Sequence, residues 1–137
     1  MKTALTVFLT LFSVQAHALD FVFEVPVKLD LIPKGIPQAK IECQVYSKID
    51  SKQLIATGYS IRAIRSTRGE LNENIEVTAS YLPDWRDAAA GSYQCRLLLL
   101  TPWAKPSWQS PSADSRLIDI QPREDTRAIT TVSGVIH

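Results

Sequence analysis

The sequence predicts an all-β, antiparallel domain. Apolar and polar residues alternate at period two over long stretches, turn-forming clusters separate those stretches, and no window sustains an apolar period of about 3.6 residues. Short strands joined by turns favour an antiparallel sandwich or barrel over a parallel sheet, which needs long crossovers. With 137 residues, the chain has room for one such domain.

Residues 1–18 precede the first strand and read as a secretory signal peptide. Met1-Lys2 gives a positive start, residues 4–12 form an uncharged apolar run, and Ala16-His17-Ala18 has the small residues of a cleavage site. The apolar run is shorter than the ~20 residues that cross a bilayer, so no membrane span is expected. The mature domain then covers residues 19–137, with a secreted or periplasmic location.

The first strand, over residues 19–31, sets Phe21, Phe23, Val25, Val27, Leu29 and Leu31 on one face and Asp20, Glu24, Pro26, Lys28 and Asp30 on the other. Pro26 has no N–H for a ladder, which places this strand at a sheet edge. Pro33-Lys34-Gly35-Ile36-Pro37 turns the chain. The second strand, residues 39–47, turns Ile41, Cys43 and Val45 inward and Lys40, Glu42 and Gln44 outward. After Asp50-Ser51-Lys52, a third strand over 54–65 is expected to hold Tyr59, Ile61 and Ala63 inward, with Ser60 and Arg62 outward. Thr67-Arg68-Gly69-Glu70 leads to a fourth over 74–82, with Ile75, Val77, Ala79 and Tyr81 inward. Ala88-Ala89-Ala90 leaves room for one helical turn at most. Residues 92–100 form a fifth strand with Tyr93, Cys95, Leu97 and Leu99 on one face, and 116–121 and 127–136 are weaker strand candidates.

Export decides how the two cysteines are read. In an oxidising compartment a pair of thiols becomes a bridge, and two cysteines allow one pairing, Cys43 with Cys95. Closing a loop of that length is worth about 4 kcal/mol in the chain-entropy account.

Gly91-Ser92-Tyr93-Gln94-Cys95, opening a strand that continues Arg96-Leu97-Leu98, resembles the Gly-x-Tyr-x-Cys start of strand F in immunoglobulin-like domains. The resemblance implies a two-sheet antiparallel sandwich of about seven strands, with Tyr93 as a structural tyrosine corner and the Cys43–Cys95 bridge tying the two sheets across the core. Cys43, inward on the second strand, stands where that partner belongs. No Trp follows it on the third strand, where Tyr59 is the nearest substitute. Such a superfold carries no particular function.

Composition narrows the function by elimination. Lys and Arg number 15 against 14 Asp and Glu, falling to parity once Lys2 leaves, so the basic excess needed for nucleic acid or an anionic membrane is missing. His17 departs with the signal peptide and His137 is the last residue. With both cysteines spent on a bridge, Ser-His, Cys-His and His-metal arrangements have no imidazole or thiolate to use. Neither an enzyme nor a cofactor or metal site is expected. Asp84 and Asp87, beside Trp85 and Arg86, read as turn-forming residues. Arg62, Arg65 and Arg68 cannot form one row on a strand and read as solvated edge charges.

The segment 101–114 follows the Tyr93 strand, where immunoglobulin-like variable domains have a binding loop. It carries Trp103, Lys105 and Trp108 among three prolines, a stiff aromatic stretch of the kind that docks partners or sugars. Leu98 and Leu100 interrupt the alternation of the fifth strand and should lie on its outer face, marking a partner surface or a weak homodimer contact. The expected function is therefore an exported, non-enzymatic binding module that contacts a protein or carbohydrate through residues 101–114. The alternative is a pilus-like or adhesin subunit that assembles through its N-terminal strand.

Overall fold

The computed structural model describes residues 20–29, 32–65, 69–103, 105–111 and 131–136. They form seven antiparallel strands: β1 (Phe21–Leu29), β2 (Gln38–Ser47), β3 (Leu54–Ala63), β4 (Leu71–Tyr81), β5 (Ala90–Thr101), β6 (Ser107–Gln109) and β7 (Thr131–Val135). One hydrogen-bonded sheet runs β1-β4-β3-β2-β5-β6, with β7 beside β6 along the same side of β5. No helix among the described residues is long and apolar enough to cross a membrane. The expected strand candidate at 116–121 lies outside the described residues.

The sheet curls because β3 and β4 share only a short ladder. Ala56 pairs with Tyr81 and Thr57 with Ser80, after which β4 leaves β3 and pairs with β1 from Phe21↔Ala79 to Leu29↔Leu71. Gly58 makes the parting possible. A Cβ there would lie 2.0 Å from the Thr78 carbonyl oxygen, so only glycine lets the β4 backbone pass so close. The curl brings β1 and β4 over β2 and β5, and a core of Val25, Val27, Leu29, Ile41, Cys43, Ile75, Val77, Cys95, Leu97 and Leu99 fills the space between. Tyr93 links the first and last strands, since its ring lies 4.8 Å from that of Phe23 and spreads across Gly134 of β7. An arginine-carboxylate pair sits at the splayed mouth, with Arg62 Nε 3.5 Å from Glu73 Oε2.

Alternation places the described inner-face residues of β1, β2, β4 and β5 correctly, Leu31 lying outside the described residues, and Pro26 does lie on a terminal strand of the sheet. The third strand is the opposite of the expectation: Tyr59, Ile61 and Ala63 face outward, and Ser60 and Arg62 are the half-buried residues. A bulge is the reason. Val45 pairs with Ala56 but Tyr46 with Leu54, so Ile55 is an extra residue, and the inward parity changes after it. Ile55 and Ala56 are consequently both buried, side by side.

The Cys43–Cys95 disulfide is present, but it does not join facing sheets. Cys43 and Cys95 are direct partners on the neighbouring strands β2 and β5, with Cα atoms 4.0 Å apart. Both placements turn each cysteine inward, so alternation alone does not separate them. Tyr59, exposed on the outer face, does not fill the place of a core Trp. Among the described residues the helical turn is a 3-10 turn at Pro83–Trp85, and Ala90 instead opens β5.

Candidate interaction face

Residues directly opposite in an antiparallel ladder share a face, and the registers therefore assemble the outer surface of β3, β2, β5 and β6. Ile61, Lys40 and Leu98 form one cross-strand row, and Tyr59, Glu42 and Arg96 form the next. Leu100 faces Trp108 across β5 and β6. Tyr59 is 64% exposed and Ile61 41%, while Leu98, Leu100 and Trp108 are half-buried against one another's strands.

Lys40 is the centre of this face. Its ammonium lies 5.0 Å from the centroid of the Trp108 ring and 5.7 Å from that of Tyr59. Each such contact contributes about 0.5–1 kcal/mol at a partly wet site. Its side chain is only 15% exposed, because the alkyl stem lies on the sheet while the charge remains between the rings. Glu42, one step along the same face, is 3.9 Å from Lys40 and accepts Arg96 Nε at 2.7 Å. The charges are thus locked into the sheet surface, and the two rings remain as the broad apolar elements.

The residues singled out in the sequence separate in space. Trp108 lies on the outer face with Leu98 and Leu100, directly opposite Leu100 in the ladder. Trp103 instead packs against the main core, and Lys105 is exposed between them. Ser107–Gln109 pairs with β5 as a strand, so part of the expected loop is sheet. Tyr93 packs against both core clusters, whereas the tyrosine that ties a turn to the main chain is Tyr81, its hydroxyl donating to the Ala88 carbonyl at 3.1 Å. Sequence reasoning missed Lys40 and Tyr59. Their signal is the paired register of β2 with β3, which the bulge at Ile55 conceals.

At the other end of the strands, Asp50, Asp84, Asp87, Trp85 and Ile49 line a shallow depression of about 530 Å³. Asp50 accepts a hydrogen bond from the Lys52 amide, as turn-forming aspartates do. Among the described residues no group of His, Cys, Asp and Glu is placed to hold a metal ion. No family model, curated protein or solved structure matches the chain.

Proposed function

We propose that this protein is an exported, non-enzymatic interaction module that contacts a protein or carbohydrate through the face built on Trp108, Tyr59, Leu98 and Leu100. The observation that carries this reading is the convergence of Trp108, from segment 101–114, and Tyr59, from β3, on Lys40. Two aromatic rings on a strand surface, framed by charges paired to one another, form a stacking and packing platform. Residues 19–136 contain no histidine and the cysteines are joined, which argues against acid-base or thiol chemistry. The assembly alternative is weaker because donating β1 would break its whole ladder with β4 and expose Val25, Val27 and Leu29.

We read the curled sheet as an immunoglobulin-like sandwich in which the β1–β4 pair is one layer and β3, β2, β5, β6 and β7 the other. The short β3–β4 ladder supports that division. The likeness concerns layering, since the disulfide lies within one layer. The test is retention of the purified mature protein on a panel of immobilised glycans and exported proteins. Whatever retains the wild type should release Trp108→Ala and Tyr59→Ala at least ~10-fold more readily, the loss of about 1.4 kcal/mol expected of an aromatic anchor. Undiminished retention of both variants refutes the assignment of the face.

A further inference from the structure

We infer that the depression between the β2–β3 hairpin and the β4–β5 connection is a docking site for a basic segment of a partner protein, entered by an arginine side chain. Its apolar elements stand where turns are ordinarily polar. Ile49 is 95% exposed at the hairpin tip and Trp85 is 36% exposed on the 3-10 turn. The two line one depression of about 530 Å³, within the ~300–1,000 Å³ of ligand sites. Brought together in this way, rather than scattered singly, they offer a partner apolar area to cover.

The depression is held open by the backbone of both connections. The Lys48 amide donates to the Ala89 carbonyl at 2.8 Å, the Ser47 amide to the Gln53 carbonyl at 2.9 Å, and the Trp85 amide to the Leu82 carbonyl at 2.9 Å. The Tyr81 hydroxyl holds the Ala88 carbonyl. At Gly91 a Cβ would lie 2.6 Å from the Lys48 Cα, so the two connections meet main chain against main chain. A floor already formed spares a partner the entropy of ordering it.

Charge selects the occupant. Among the described residues the ionisable side chains lining the depression are Asp50, Asp84 and Asp87, and no ion pair reaches any of them. Lys48, Lys52 and Arg86 belong to the same two connections but do not line it. The neutral polar side chains are engaged with the hairpin, Ser47 Oγ accepting from the Ile49 amide and Gln53 Nε2 donating to the Leu54 carbonyl, so the carboxylates are the groups left for a partner. They are not placed to hold a metal ion together. Separated carboxylates beside an aromatic ring suit a guanidinium, which stacks on the ring, forks onto a carboxylate and lays its alkyl stem on apolar surface such as Ile49. No residue of the Trp108 face lines the depression, and the inference is independent of what that face contacts.

Titration of the isotope-labelled mature protein with a hexapeptide of alternating arginine and glycine, followed by NMR, tests it. The matching glutamine–glycine peptide, a neutral hexasaccharide and calcium chloride serve as competing probes. The arginine peptide should give saturable shifts at the Trp85 indole N–H and the Asp84 and Asp87 amides. Trp85→Ala and the double variant Asp84→Asn/Asp87→Asn should each weaken that binding at least ~10-fold. Both replace exposed side chains and should keep the wild-type amide spectrum outside the two connections. Trp108→Ala should bind as the wild type does. Absence of saturable shifts with the arginine peptide overturns the inference, as do equal shifts with the glutamine peptide, undiminished binding by both variants, or saturation by the hexasaccharide or calcium alone.

Discussion

The Lys40 ammonium sits 5.0 Å from the centroid of the Trp108 ring, although the two residues lie on strands separated by β5. The contact draws the end of the proline-rich segment onto the sheet and gives the two tryptophans of that segment different fates.

Those fates predict different costs of truncation. Trp103→Ala removes a side chain packed against the core and should lower stability by about 3 kcal/mol. Trp108→Ala removes an outer-face ring and should cost about 1 kcal/mol. Urea unfolding of the two variants measures both values, and equal losses would contradict the division.

Gly58→Ala is expected to destabilise by about 3 kcal/mol or more, because the added methyl meets the β4 backbone rather than a movable side chain. Thermal unfolding reports the loss. An unchanged melting temperature would mean that β4 does not pass against Gly58.

Replacing Cys43 and Cys95 together by alanine should lower stability by about 4 kcal/mol, since the bridge spans a sequence separation of 52. The double variant should keep its antiparallel β signature in circular dichroism, because β2 and β5 are also joined by a full ladder. Loss of that signature in native buffer would show that the bridge, and not the ladder, holds those strands.

How much of this was legible in the sequence depends on register. Over most of their length β1, β2, β4 and β5 bury every second residue, and their core residues could be read directly. At β3 a single extra residue, Ile55, reverses every side chain beyond it, and nothing in the local pattern marks a bulge whose cause is the pairing with Val45 and Tyr46. Ser107–Gln109 is too short to display a period and lies between prolines. The candidate face was half legible for the same reason. Leu98, Leu100 and Trp108 stand out by composition, but Lys40 and Tyr59 join them only through cross-strand neighbours.

The most direct measurement compares Tyr59→Ala/Trp108→Ala with the wild type for partner retention and melting temperature together. The account predicts that retention is abolished while the melting temperature falls by no more than about 8 °C, the shift that corresponds to ~1–2 kcal/mol in a domain of this size. Full retention, or collapse of the fold, would contradict it.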